Sequence, residues 1–112
     1  MRIAVSSAGK SLDNNVSEAF ARCPYFVIAE IGNGEMKGVE IIENINANQL
    51  GQAGISAAQL MAEKDIEAII TKNVGPRALD ALKQFNIAIY YGDGIIRNVL
   101  REFIEGKLRK ID

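Results

Sequence analysis

Histidine is absent from the sequence, and with it goes the side chain that ordinarily titrates near neutral pH and acts as general base in hydrolytic triads. Tryptophan is absent too, proline occurs twice, and there is a single cysteine, Cys23. One thiol cannot close an intramolecular disulfide, and an unpaired cysteine suits a reducing compartment, so a cytoplasmic location is expected. Charge of one sign is also lacking. The 13 basic and 14 acidic residues leave a formal net charge of −1, which provides no field to collect phosphate backbones, and no nucleic acid is expected as a partner. The opening Met1-Arg2-Ile3-Ala4-Val5-Ser6 carries an apolar run too short for a signal-peptide core or a membrane span, so no membrane partner is expected either.

What is present suits one domain spanning residues 1–112: the length lies within the roughly 100–150 residues commonest for a single core. A chain of this size buries roughly two-thirds of the surface it exposes when unfolded, so no disulfide, metal or cofactor is required for folding.

Ile3-Ala4-Val5 reads as a buried strand opening into the loop Ser6-Ser7-Ala8-Gly9. Asn14 to Ser17 supply N-cap candidates for a short helical turn through Arg22, closed by Pro24. Tyr25 to Ile31 and Met36 to Glu43 are β-rich runs around Gly32-Asn33-Gly34-Glu35, where Asn-Gly supplies the positive φ angles of a tight hairpin. Asn44 to Gly54 is the longest candidate loop. Ile55 to Lys64 predicts a helix with Ile55, Ala58 and Ala62 on its inner face, followed by a strand over Ile66 to Thr71. A second helix starts near Pro76 with Ala78, Leu79, Leu82 and Phe85 at helical spacing, and a strand follows over Ile87 to Tyr91. Gly92-Asp93-Gly94 leads to a last helix with a wide apolar stripe from Ile95 to Ile104. With right-handed crossovers this order predicts a three-layer α/β fold of ribonuclease H-like strand order, a five-stranded mixed sheet 3-2-1-4-5 with strand 2 antiparallel. Ligands in such sheets tend to bind beyond the carboxyl ends of the strands where the chain departs in opposite directions. The loops Ser6 to Ser11, containing Ser7, and Thr71 to Gly75, containing Asn73, are expected to line that crevice.

Catalytic readings fail on residue type. Gly9-Lys10-Ser11 imitates the tail of a phosphate-binding loop, but the glycine needed five positions earlier is Ala4, inside the strand. Two-metal nuclease chemistry needs carboxylates on the central strand, and Ile3 to Ser6 offers none; Asp13, Glu30, Glu40 and Glu43 read as solvent-facing. Cys23 beside Arg22 has no imidazole to act as base, which leaves a packed thiol or a metal ligand. The chain is expected not to be an enzyme. More informative are the glycines before three helices: Gly51 and Gly54, then Gly75, then Gly92 and Gly94. Glycine lets backbone N–H groups approach a ligand, and a helix amino end favours an anion, so three such junctions could cradle one anionic group.

Val16-Ser17-Glu18-Ala19-Phe20-Ala21-Arg22-Cys23-Pro24-Tyr25-Phe26, Gly51-Gln52-Ala53-Gly54-Ile55-Ser56-Ala57-Ala58 and Asn73-Val74-Gly75-Pro76-Arg77-Ala78 together resemble the dinitrogenase iron-molybdenum cofactor biosynthesis family, which includes NifX-like proteins and the C-terminal domain of NifB-like proteins. The resemblance implies a ribonuclease H-like fold without nuclease activity and a role in carrying iron-sulfur or iron-molybdenum clusters or their precursors. With the glycine loops and Arg22 read as holding such an anionic cluster, Ser7, Arg22, Gly51, Gly54, Asn73 and Gly75 are the expected cofactor-binding residues and Cys23 is a candidate metal ligand. A cluster-assembly or acceptor protein is the implied partner, with the chain itself a monomer or weak homodimer. A metal-free module binding a small anion or a protein is the other reading the residues permit.

Overall fold

In the computed structural model, which describes residues 1–111, the apolar runs become strands whose alternate side chains enter two separate cores. The strands are β1 (Arg2–Ser7), β2 (Tyr25–Gly32), β3 (Glu35–Glu43), β4 (Ala68–Thr71), β5 (Ala88–Tyr91) and β6 (Lys110–Ile111), and the helices are α1 (Ala53–Glu63), α2 (Pro76–Gln84) and α3 (Ile96–Ile104). Ala4, Phe26, Ile28, Ile69 and Ile89 face α1 and α2, whereas Ile3, Val5, Val27, Ala29, Ala68 and Ile70 face α3. The period of two along each strand thus splits the apolar residues between the layers of an α/β/α sandwich.

The sheet has the order β3-β2-β1-β4-β5-β6. Its first five strands take the expected order, with β1–β2 and β2–β3 antiparallel and β1–β4 and β4–β5 parallel. The expectation of five strands is corrected to six. β6 pairs antiparallel with β5 through only Ile89↔Ile111 and Tyr90↔Lys110, too short a segment to show a period of two. The Asn33-Gly34 turn is as expected, with φ of 54° and 76°.

All three helices end in the same way. Asp65, Asn86 and Gly106 follow the last turns with φ of 58°, 60° and 74°, and the next residue donates its N–H back across the turn: Ile66 to Met61, Ile87 to Leu82 and Lys107 to Glu102. This arrangement satisfies the last carbonyls and drops Ile66 and Ile87 into the core just ahead of β4 and β5.

The short helical element expected before Pro24 is reduced to a single turn over residues 20–22. Residues 12–20 run as a strap across the carboxyl ends of the strands, with isolated β-bridges at Asn15, Val16 and Ala19. Ser17 N–H donates to the Ser6 carbonyl (2.8 Å), Phe20 N–H to the Asn73 carbonyl (2.9 Å) and Val16 N–H to the Gly94 carbonyl (2.8 Å). Val16 and Phe20 are buried beneath it, one in each core. Hydrogen bonds to three strand ends and burial of an aromatic ring outweigh local helix propensity.

Candidate functional site

The strap fills the crevice where ligands were expected. Under it Ser6 Oγ donates to Thr71 Oγ1 at 2.9 Å, and the buried Ser7 Oγ donates to the Gly9 carbonyl at 2.6 Å. Asn73 holds the strap itself: its side-chain amide donates to the Glu18 carbonyl at 2.9 Å while its own carbonyl accepts from Phe20. Lys72 adds ion pairs to Glu18 (2.9 Å) and Asp93 (3.2 Å), and hydrogen bonding to those carboxylates raises its pKa. Ser7 and Asn73 are thereby occupied in fastening the fold.

A cleft of about 360 Å³ opens to the side of the strap, between the amino ends of α1 and α2, lined by Ala21 and Arg22, by Gln52 to Ile55 and by Gly75 to Ala78. It brings together Arg22, Gly54 and Gly75 of the expected set, with Gly51 one residue before its rim. Neither helix has a side-chain N-cap, and the first intrahelical bonds are Ser56 to Gln52 and Leu79 to Gly75. The amides ahead of them are left available to a ligand. The lining includes two arginines, Arg22 and Arg77, and no acidic residue. Neither arginine enters an ion pair among the described residues. A larger depression of about 470 Å³ between the hairpin and α3 is lined by Glu35, Arg97, Arg101 and Glu105, whose charges offset one another.

Two junctions converge, and the third does not. The first-turn amides of α3 are already used, Ile96 N–H donating to Asn14 and Arg97 N–H to Leu12. Gly92 is a packing residue, since a Cβ there would meet Ile70 and come within 2.8 Å of Val99. Gly54 combines packing with proximity to the cleft: a Cβ would lie 2.9 Å from that of Ala78, so its absence sets how closely α1 and α2 approach.

Cys23 lies behind the cleft wall, fully buried. Its thiol donates to the Phe20 carbonyl at 3.3 Å, and burial pushes its pKa up to about 12. A ligand in the cleft meets no thiolate there. No group of three potential ligands among histidine, cysteine, aspartate and glutamate occurs among the described residues. The donor set therefore suits an anion held by N–H groups and guanidinium, not a metal bound by side-chain ligation.

Sequence reasoning missed Gln52, Arg77 and Asn44. Arg77 had a legible signal: a cation in a first helical turn opposes the helix dipole, and neither α1 nor α2 has an acid in its first turn. Asn44 had none. Its buried amide donates to the carbonyls of Ala21 (3.0 Å) and Cys23 (2.8 Å), fixing the segment that carries Arg22.

The chain is similar along nearly its whole length to known proteins. A family model described as dinitrogenase iron-molybdenum cofactor matches residues 1–106. An uncharacterised protein of Methanocaldococcus jannaschii is 38% identical over 114 residues, covering 100% of this chain and 97% of its own length. The apo form of the orange protein from Desulfovibrio gigas superposes with a TM-score of 0.90 at 29% identity, covering 98% of this chain and 92% of that one. A Thermotoga protein described as a candidate NifB superposes with a TM-score of 0.82 at 34% identity, covering 97% and 91% respectively.

Proposed function

The chain belongs to the dinitrogenase iron-molybdenum cofactor family, and from that premise we propose that it is a non-enzymatic carrier holding an anionic metal–sulfur cluster or cluster precursor in the cleft between α1 and α2. The observation that carries the reading is the pairing of two uncapped helix amino ends with Arg22 and Arg77 in a cleft that contains no carboxylate. The cargo is held as an anion through its outer sulfur or oxygen atoms, by backbone N–H groups and guanidinium. Ligation by a cysteine or histidine side chain has no part in it. Such holding is reversible, as handing cargo to an assembly or acceptor protein requires, and the chain acts as a monomer or weak homodimer. The ribonuclease H-like description belongs to this proposal as well, supported by the order of the first five strands.

The lack of a soft-donor cluster favours a second reading, in which the same cleft takes a simple oxyanion or carboxylate and the protein is a metal-free binding module. One titration separates the two. Calorimetry with tetrathiomolybdate, molybdate and phosphate is expected to show binding of the sulfur-bearing anion, weakened at least tenfold in Arg22→Ala and in Arg77→Ala. Preference for phosphate would favour the second reading. Affinity unchanged by both substitutions would remove the cleft as the site.

A further inference from the structure

Arg22 does more than line the cleft. Its Nη1 donates to two carbonyls of the loop that follows β3, that of Ala47 at 3.0 Å and that of Gln49 at 2.6 Å. The loop between β3 and α1 is thus tied to the strap-end segment at two places of different character. At its base the tie is buried: Asn44 N–H donates to the Pro24 carbonyl at 2.9 Å, and the Asn44 amide reaches back to Ala21 and Cys23. At its tip the tie is Arg22 alone, and it is exposed. The loop carries two large apolar side chains in water, Ile45 next to the Asn44 base at 78% and Leu50 at the tip at 97% exposure. Past Leu50 the chain passes through two consecutive left-handed residues, Gly51 (φ 74°) and Gln52 (φ 55°), directly into the first turn of α1 at the cleft.

From this arrangement we infer that Arg22 is a clasp shared between the loop tip and the cleft, so that an anion entering the cleft draws the guanidinium away from the Ala47 and Gln49 carbonyls and releases the tip. The inference rests on the cleft being the anion site. The driving force is the difference between two kinds of acceptor: a guanidinium bonds a charged acceptor more strongly than neutral carbonyls. The buried Asn44 tie keeps the base of the loop in place, so release is confined to the tip. The presentation of Leu50 at the surface then depends on whether the cleft is occupied, which is information a partner protein can read.

Hydrogen exchange at the Ala47 and Gln49 amides tests the clasp, because both are bonded within the folded tip, to Asn44 and Asn46 respectively, at 3.1 Å each. Arg22→Ala without any anion is expected to speed their exchange severalfold, with Arg22→Lys intermediate, while the β1 and β4 amides stay unchanged. Wild type with saturating tetrathiomolybdate is expected to show the same acceleration, and the anion to add nothing in Arg22→Ala. Unchanged exchange in Arg22→Ala would overturn the clasp and leave the cleft reading intact. So would calorimetric binding of the anion to wild type with no acceleration. No binding to wild type at all would overturn the cleft reading and the coupling with it, whatever the variant's exchange.

Discussion

The Cys23 thiol sits among Phe20, Phe26 and Met61 in the α1/α2 core, with the Asn44 amide at 3.9 Å, and this environment decides its chemistry. Removal from water disfavours the thiolate, which is why the pKa rises from an ordinary 9.0 to about 12. In the unfolded chain the thiol ionises near pH 9, whereas in the native state it stays neutral until about pH 12. The stabilisation from a neutral buried thiol is therefore complete below pH 9 and is lost as pH rises from there toward 12. Urea unfolding at pH 8 and pH 10.5 is expected to show wild type losing more stability over that interval than Cys23→Ala. Equal losses would mean that the thiol is not desolvated. Burial of a cysteine next to an arginine has no sequence signature, so at this scale the sequence left both a ligand and a packed thiol open.

At the scale of elements, the strap over residues 12–20 shows where local pattern stops being a guide. Asn14 to Ser17 resembles a helix start, yet Val16 and Ser17 N–H bond instead to Gly94 and Ser6, and Phe20 N–H to Asn73, all outside the segment. Phe20 anchors the strap, its ring centroid 5.5 Å from that of Phe26. Phe20→Ala is expected to cost about 3–5 kcal/mol, the range for removing a buried phenyl ring, measured by urea unfolding. Faster exchange at the Ser17 and Phe20 amides should accompany it. The helices were legible because their apolar spacing is regular, but of the expected inner face of α1, Ile55, Ala58 and Ala62, only Ala58 is fully buried, together with Ala53, Ala57 and Met61. Close approach to α2 at Gly54 and Ala78 sets which face turns inward, a contact between segments distant in sequence.

Across the whole molecule, two cores fill the space on either side of the sheet with aliphatic and aromatic side chains, and no described residue cluster waits for a metal to complete it. The thermal midpoint is accordingly expected to be the same with and without a strong chelator, followed by circular dichroism; a fall of many degrees would reveal a structural metal. Binding of a molybdenum–sulfur anion should instead raise the midpoint, in proportion to the logarithm of its concentration once it saturates the native state. With a net charge of −1 the protein as a whole does not attract anions. On the proposed reading the attraction is local, from Arg22, Arg77 and two helix ends.

The sequence by itself determined the residue types and their periods. Those settled a mixed sheet with β1 at its centre, a hairpin at Asn33-Gly34, three helices and the lack of a histidine base. They also marked Arg22, Gly54 and Gly75 through local features: a charge at a segment end and glycines at helix starts. Only the tertiary structure decided which of these meet. Convergence on the cleft depends on the strap closing the crevice above β1 and β4, on the α3 amino end being consumed by Leu12 and Asn14, and on Asn44 fixing the Arg22 segment. Each of these is a hydrogen bond between residues far apart in the chain, and no spacing along the sequence records such a bond.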